Sequence, residues 1–359
     1  LSRACYPKQY LNLIENNEYS LLQNTYLRLK GLKNMDSPLI ICNEEQRFIV
    51  AEQMREIKVK PKSVLLEPFG RNTAPAITLA ALLANRFEYD PILLVLSSDH
   101  IISDNKKFKQ RIEEGISEAN KGNLITFGVI ATNPETGYGY IEAYEYISKN
   151  INVSKIKQFI EKPKKEDAIQ MIKDKRFTWN SGIFLFRASA FLDEIRHFEP
   201  EILSICDKSI EDSCADLDFL RISGESFKKC KNVSIDYAVM EKTQKGYVVN
   251  LDSGWSDVGS WKSVWENSPK DENGNSLRGK VILKDVKESY VRSQNRLIMG
   301  VSLENLIIVD TDDAILIANK NSSEKIKTLV SEIKNKNFPE ANINRKVFRP
   351  WGNYISIKE

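Results

Sequence analysis

The sequence predicts an α/β fold with a small β-roll or β-helix appended to it. Two observations carry this. Over residues 38–130 short apolar runs alternate with helical stretches, the rhythm of an open sheet covered by helices. After the polar run Ser268-Pro269-Lys270-Asp271-Glu272-Asn273-Gly274-Asn275 come β runs of about five residues at close, regular spacing. The expected organisation is a first domain over residues 1–268, a linker over 269–276, a β-helical domain with a closing helix over 277–338, and a tail over 339–359.

The elements follow in order. Residues 1–10 contain no initiator Met and no opening strand. Residues 11–30 read as a loop and then a helix, with Leu21, Leu22, Tyr26 and Leu29 at helical spacing. Residues 38–42 form an apolar strand. Asn43 can cap the next helix, with Gln46 three positions on as in a capping box. Residues 64–66 form a strand. Thr73 is a candidate N-cap for the Ala/Leu-rich helix over 74–85, and Pro75 sits in its first turn, where proline is tolerated. Residues 91–96 are continuously apolar, as a parallel strand covered on both faces should be. A helix over 104–120 and a strand over 124–130 complete the alternation. Then the rhythm changes. Thr136-Gly137-Tyr138-Gly139-Tyr140-Ile141-Glu142 is a glycine-pinned strand, and residues 155–160 form a strand ending in Glu161-Lys162-Pro163. Trp179-Asn180-Ser181-Gly182 reads as a turn opening an apolar strand to Phe186. Helices over 188–207, a helical stretch over 234–243 and a strand over 247–251 lead to the loop of Asp257. The later β runs are 280–283, 289–292, 297–301, 306–309 and 314–318, closed by a helix over 323–336. A further strand is expected at 354–357.

Composition narrows the function. Hydrophobic residues are 42% and charged residues 28%, as in ordinary globular proteins. Lys plus Arg number 52 against 49 Asp plus Glu, a balance that argues against a nucleic-acid binder relying on a basic face. No apolar run reaches the roughly 18 residues of a membrane span, and the start carries no signal-peptide pattern. The five cysteines form no CxxC pair, which suits a reducing cytoplasm. With two histidines, a His-based zinc site is not expected.

Chemistry concentrates at strand ends. Asp99 follows the apolar run 91–96, and Asp257 lies between Trp255 and Trp261. Open α/β sheets bind ligands beyond the carboxyl ends of their strands. Two such carboxylates can converge on one divalent cation, since Mg²⁺ is held by one or two carboxylates plus substrate phosphates. The competing reading makes Asp99 a cap and Asp257 an Asx-turn residue. Lys162 suits a phosphate as a point charge, or is a solvated loop lysine. Glu161 can accept from sugar hydroxyls, and Asn180 can both donate and accept. Gly137, Gly139 and Gly182 let backbone approach a ligand, though turn geometry explains them equally. Glu67 can accept from guanine N1–H and N2–H₂, and the helix start after Thr73 can attract an anion, with ordinary capping as the alternative. Arg3 and Lys8 are basic groups near the chain start, with plain surface charge as the competing reading. His100 and His197 read as structural, the Trp255, Trp261 and Trp265 set as core packing, and residues 310–313 as a turn.

Eight motifs stand in a fixed order: Tyr6-Pro7-Lys8-Gln9; Glu67-Pro68 with Gly70-Arg71-Asn72-Thr73-Ala74-Pro75-Ala76; Ser98-Asp99-His100; Glu135-Thr136-Gly137-Tyr138-Gly139-Tyr140-Ile141; Glu161-Lys162-Pro163; Trp179-Asn180-Ser181-Gly182; Ile235-Asp236-Tyr237-Ala238-Val239-Met240-Glu241; and Trp255-Ser256-Asp257-Val258-Gly259-Ser260-Trp261. Together they strongly resemble the mannose-1-phosphate guanylyltransferases of the bacterial sugar nucleotidyltransferase family, over nearly the whole chain. The resemblance implies a Rossmann-like mixed-sheet nucleotidyltransferase domain followed by a small β-helix. It implies transfer of GMP from GTP to mannose 1-phosphate, giving GDP-mannose and pyrophosphate. It implies Mg²⁺ on Asp99 and Asp257, Lys162 on the sugar phosphate, and a sugar pocket from Glu161, Asn180 and the turn Gly137, Tyr138, Gly139. Lys8 matches the lysine near the triphosphate. Glu67, Arg71, Asn72 and Thr73 match the base-side wall, with Arg3 and Ser98 also on the nucleotide side. A cytoplasmic homodimer is implied as well, and an exposed β-helical face would suit one.

Three departures stand out. The family's opening strand and glycine-rich triphosphate loop precede the equivalent of Leu1; without them the sheet would carry two exposed edges, so a preceding segment is expected. Ser97-Ser98 replaces the commoner Pro-Ala before Asp-His. Arg349-Pro350-Trp351-Gly352 resembles the opening of a cupin domain whose metal-binding body is absent, so no isomerase activity is expected. The rival functional readings are a non-catalytic GDP-mannose-binding regulatory subunit and a related transferase using another sugar or base.

Overall fold

The computed structural model describes residues 6–14, 18–146, 152–338, 340, 346–349 and 352–355. The chain enters through a 3-10 turn (Lys8–Tyr10) and α1 (Leu21–Leu27), which begins with a reciprocal capping box between Ser20 and Gln23. β1 (Leu39–Asn43) leads into a 3-10 turn capped by Asn43, and α2 (Arg47–Glu56) starts only afterwards. The capping box expected at Gln46 does not form, because its Oε1 accepts from the Tyr10 hydroxyl at 3.0 Å. β2 (Ser63–Glu67) runs parallel to β1, and α3 (Thr73–Phe87) follows. The cap of α3 is Asn72 rather than Thr73: Asn72 adopts φ 69°, tolerable for asparagine, and its Oδ1 accepts from Thr73 N–H at 2.9 Å. Thr73 Oγ1 is occupied elsewhere, accepting from Ile235 N–H at 2.9 Å.

β3 (Ile92–Val95), the two-residue β4 (Ile101–Ile102), α4 (Asn105–Ala119) and β5 (Leu124–Ile130) complete the alternation. Then come β6 (Tyr140–Ala143), β7 (Val153–Ile160), α5 (Lys165–Met171) and β8 (Phe177–Arg187). The stretch expected as a turn, Trp179-Asn180-Ser181-Gly182, is strand: it lies inside β8, where the register against β5 shifts and Gly182 takes φ 70°. Helices α6 (Ala188–Phe198) and α7 (Pro200–Glu211) follow, then the hairpin of β9 (Cys214–Asp216) and β10 (Phe219–Arg221), which the sequence did not signal. A short α8 (Gly224–Phe227), one π-helical turn (Asp236–Met240), β11 (Gly246–Asn250) and β12 (Trp255–Ser256) close this part.

These strands form a mixed six-stranded sheet in the order β3-β8-β5-β11-β7-β6, beside a four-stranded sheet β1-β2-β10-β9. β3 is therefore an edge strand paired antiparallel to β8 and half-buried, not the covered parallel strand its apolar run suggested. Among the described residues β1 and β3 each have one strand partner. One apolar cluster spans both sheets: it includes Ile77, Leu79 and Ala81 of α3, and Leu39 and Ile41 of β1 and Leu93 and Val95 of β3 pack against it. On the other face Phe108 and Ile112 of α4 pack against Phe127, Leu185 and Val249.

α9 (Trp261–Glu266) leads into short rungs: β13 (Ser276–Arg278), β14 (Val281–Lys284), β15 (Tyr290–Arg292), β16 (Ile298–Val301), β17 (Leu306–Asp310) and β18 (Ile315–Asn319). β13, β15 and β17 stack in parallel, as do β14 and β16, which is the β-helical arrangement expected. α10 (Ser323–Asn335) closes it. Tyr290, Ile307 and Val309 share a cluster with Leu13, Leu21, Trp261 and Val264, so the rungs are packed onto the first part. Lys320 is buried at the join, with its ammonium 3.0 Å from Glu288 Oε2 and 3.4 Å from the Trp265 ring centre. Beyond it β19 (Lys346–Arg349) and β20 (Gly352–Ile355) pair antiparallel, so the last strand begins earlier than expected; Pro350 and Trp351 lie outside the described residues.

One glycine controls how the Asp257 loop meets the sheet. Gly254 has φ 69°, and a Cβ there would lie 1.8 Å from Ser103 Oγ. Gly254→Ala is expected to cost about 1–3 kcal/mol in urea unfolding, with Ser103→Ala in the same chain recovering part of the loss.

Candidate active site

Asp99 and Asp257 are brought together by a very short ribbon. β4 and β12 pair antiparallel, Trp255 opposite Ile102 and Ser256 opposite Ile101. Ser103 N–H and Asp104 N–H extend the ladder to the carbonyls of Gly254 (3.2 Å) and Ser253 (3.0 Å). Asp99 lies just before one strand of the ribbon and Asp257 just after the other, so antiparallel pairing puts both at the same end. Asp257 is set by its own turn: Oδ1 accepts from Gly259 N–H at 3.2 Å, and Ser256 Oγ accepts from Val258 N–H at 3.3 Å. Asp257 is thus an Asx-turn residue that also lies at the same end of the ribbon as Asp99.

Lys8 stands between them. Its ammonium is 3.1 Å from Asp99 Oδ2 and donates to the Asp257 carbonyl at 2.8 Å. The Asp99 carboxylate and the Asp257 main chain thus hold one ammonium between them. Arg28, buried on the far side, donates to the His100 carbonyl at 2.7 Å and fixes the backbone beside Asp99. His100 is buried, and burial holds its pKa down at about 4, so the ring is neutral at pH 7. Its Nδ1 accepts from Trp255 Nε1 at 3.2 Å, which leaves the proton on Nε2, 3.7 Å from Asp99 Oδ1. His100 therefore has a hydrogen-bond partner on Nδ1, and the Asp99 carboxylate lies near Nε2 beyond hydrogen-bond distance. Trp255 is half-buried and packs edge-on to His100 and to Tyr138. The Tyr138 phenol is pushed well up by burial and by the neighbouring Asp257. Tyr138, expected in the sugar pocket, thus links that pocket to the aspartate pair.

The expected sugar side assembles around β8. Lys162 takes φ 48° at the end of β7, and its ammonium is held 2.7 Å from Glu161 Oε1, which raises its pKa. Gly139 lies close against Glu161: a Cβ would lie 2.5 Å from Glu161 Oε2 and the carboxylate would have to shift. Gly137 is exposed, and open space surrounds it. Asn180 N–H donates to the Gly139 carbonyl at 2.8 Å. Asn180 Oδ1 accepts from Thr126 Oγ1 at 2.9 Å and Gly182 N–H at 3.2 Å, and Nδ2 donates to Asp236 Oδ1 at 2.9 Å. Thr126 Oγ1 also lies 3.1 Å from the Ile183 carbonyl, so its one proton is shared between the two acceptors, and Asn180 keeps an N–H free of these partners. Asp236 and Thr126 were not picked out from the sequence; the motif containing Asp236 was the only signal.

The expected nucleotide side is the loop after β2. Asn72 and Thr73 are exposed at the start of α3. Arg71 lies over the Phe69 ring at 5.0 Å and donates to the Lys228 carbonyl at 2.6 Å, so its guanidinium is used to fasten the loop onto α8. Glu67 Oε1 is buried without a hydrogen-bond partner among the described residues, and burial pushes its pKa up to about 7. Ser98 is half-buried in the turn before Asp99. Arg3 lies outside the described residues. No group of three or more His, Cys, Asp or Glu suited to a metal occurs among the described residues.

The model of the Nucleotidyl transferase family matches residues 1–274, and that of the MannoseP isomerase/GMP-like beta-helix domain matches residues 279–333. A mannose-1-phosphate guanylyltransferase of Escherichia coli (strain K12) is 44% identical over 361 residues, 99% of this chain and 75% of that protein. Xanthan biosynthesis protein XanB of Xanthomonas campestris pv. campestris (strain B100) is 46% identical over 357 residues, again 99% and 75%. Among solved structures, one described as mannose-1-phosphate geranyltransferase from Thermus thermophilus aligns with TM-score 0.80 and 25% identity over 93% of this chain and 94% of that one. One described as mannose-6-phosphate isomerase from Helicobacter pylori aligns with TM-score 0.63 and 35% identity over 70% of this chain and 95% of that one.

The orphaned carboxyl of Glu67 gives a pH signature. Its folded pKa of about 7 stands above the ordinary 4.5, so the native state holds the proton longer than the unfolded chain. Its contribution to stability is therefore full below pH 4.5 and lost as pH rises through 7. Glu67→Gln is expected to gain on the order of 1–3 kcal/mol over the parent at pH 8 and almost nothing at pH 4.5, measured by urea unfolding at both.

Proposed function

The chain belongs to the nucleotidyl transferase family, among the bacterial mannose-1-phosphate guanylyltransferases, and on that premise we propose that it transfers GMP from GTP to mannose 1-phosphate. A phosphate oxygen of mannose 1-phosphate attacks the α-phosphorus of GTP. The bond from that phosphorus to the oxygen bridging to the β-phosphate breaks, and pyrophosphate leaves opposite. The attacking oxygen is already an anion, so no side chain is asked to remove a proton. Catalysis is then positioning and charge neutralisation.

The observation that most supports this reading is the gathering of Asp99, Asp257 and the Lys8 ammonium at one end of the β4–β12 ribbon. Asp99 and Asp257 are the residues that would hold Mg²⁺, and the ammonium held by the Asp99 carboxylate and the Asp257 carbonyl speaks for oxygen donors suited to a cation. When bound, Mg²⁺ neutralises triphosphate charge and orients the displacement. Lys8, beside Asp99 and Asp257, supplies charge to the triphosphate. Lys162, steadied by Glu161 yet exposed, supplies charge to the sugar phosphate. Glu161, Asn180 and the Gly137–Tyr138–Gly139 turn form the sugar pocket. Asn72 and Thr73, free on their outer sides at the α3 start, face the nucleotide; Glu67 and Arg71 support that wall from beneath.

A homodimer and a cytoplasmic setting go with this reading. Ile282 on β14 stands beside Met299 on β16, and with Val301 they are 62%, 72% and 62% exposed, an apolar face on the β-helix that a second copy would cover. Cys42, Cys206, Cys214 and Cys230 are free thiols, as in a reducing compartment. No helix of the described residues is long and apolar enough to cross a membrane.

Asp257→Asn should stay folded and lose about 10²–10³-fold in turnover of GTP with mannose 1-phosphate, since it removes a charge aimed at the reacting phosphates. Unchanged turnover would overturn the assigned role. Light scattering on Met299→Asp should give half the parent's mass; an unchanged mass would remove the β-helical face as the interface.

A further inference from the structure

The segment over residues 233–241 touches both sides of the cleft. At its start the Val233 carbonyl accepts from Ala74 N–H at 3.1 Å, and Ile235 N–H donates to Thr73 Oγ1 at 2.9 Å, which ties it to the first turn of α3. In its middle Asp236 Oδ1 accepts from Asn180 Nδ2 at 2.9 Å. At its end Glu241 Oε1 accepts from Glu161 N–H at 2.9 Å. Ile235, Ala238, Val239 and Met240 are buried in the main core, so the segment is fixed from below.

Its π-helical form explains how one short stretch makes these contacts. Glu241 N–H bonds to the Asp236 carbonyl at 2.9 Å, an i→i+5 closure. That closure brings residues five apart to one face, where an α-turn would send them to different faces. Both carboxylates then meet the sugar side, one on Asn180 and the other on the backbone of Glu161.

We propose that Asp236 is a positioning residue for the sugar phosphate, holding the Asn180 amide so that its free N–H faces the pocket. If the amide turned over, Asn180 Oδ1 would meet the Asp236 carboxylate, acceptor against acceptor, and Nδ2 would meet the Gly182 N–H, donor against donor. Thr126 can turn its hydroxyl to suit either orientation, so Asp236 and the Gly182 backbone are what discriminate. The Asp236 bond is charge-assisted and is the stronger of the two. Burial, with Glu161 beside it, pushes the Asp236 pKa up to about 6, which still leaves it ionised at pH 8.

The inference rests on Asn180 belonging to the sugar pocket, so Asn180→Ala is measured alongside. At pH 8, Asp236→Ala is expected to raise the KM for mannose 1-phosphate at least tenfold, with the KM for GTP within twofold of the parent. Asp236→Asn keeps an acceptor for Asn180 and should stay within threefold. Calorimetric titration of each variant with GDP-mannose and with GDP should show the loss for the sugar nucleotide alone. If Asp236→Ala does not fold, Asp236→Ser, too short to reach Asn180 yet polar, carries the same expectation. A folded Asp236→Ala with an unchanged mannose 1-phosphate KM, a parallel rise in both KM values, or an Asp236→Asn as impaired as the alanine variant would each overturn the proposal. If Asn180→Ala itself leaves that KM unchanged, the sugar-pocket reading fails first.

Discussion

Four residues of backbone pairing, Ile101 and Ile102 against Trp255 and Ser256, carry the site. The two aspartates are separated by most of a domain, and nothing local joins them. The ribbon works because its flanks are over-determined. Gly254 takes a left-handed conformation against Ser103, Trp255 is held by His100 and Tyr138, and Arg28 grips the His100 carbonyl from below. A short ladder alone would fray; buried neighbours on both strands hold its end in place. Positioning of this kind is what a phosphoryl-group reaction needs, where charge placement matters more than covalent chemistry.

The electrostatics divide into two layers. At the cleft, Lys8 pairs with a part-exposed Asp99, and the exposed Lys162 pairs with the buried Glu161 carboxylate. Beneath it lie groups that are buried and do not exchange partners. His100 is kept neutral, Glu67 is left without a partner, and Asp236 is committed to Asn180.

Much of this was legible in the sequence. The placement of Asp99, Asp257, Glu161 and Lys162 just past strand ends was legible, because each apolar run stops shortly before them. The short rungs after residue 276 were legible from their spacing. What escaped depended on tertiary partners. The apolar run at 91–96 looks the same whether its strand is central or at an edge, and here it is an edge. Trp179 to Gly182 has the residues of a turn, yet β5 and β6 flank it and make it strand. Thr73 and Gln46 have side chains suited to capping, but Ile235 and Tyr10 claimed them first. Asn180 has the chemistry to donate and accept, and only the fold reveals that Thr126, Gly182 and Asp236 lie around its amide.

The account stands or falls on what nucleotide and sugar the cleft turns over. The most direct measurement is pyrophosphate release by the full-length protein with Mg²⁺ and mannose 1-phosphate, offered GTP, ATP, UTP and dTTP in separate reactions. The account predicts release with GTP well above the other three and none when mannose 1-phosphate is omitted. Release that is equal for all four nucleotides, or absent for all while GDP-mannose still binds, would contradict it.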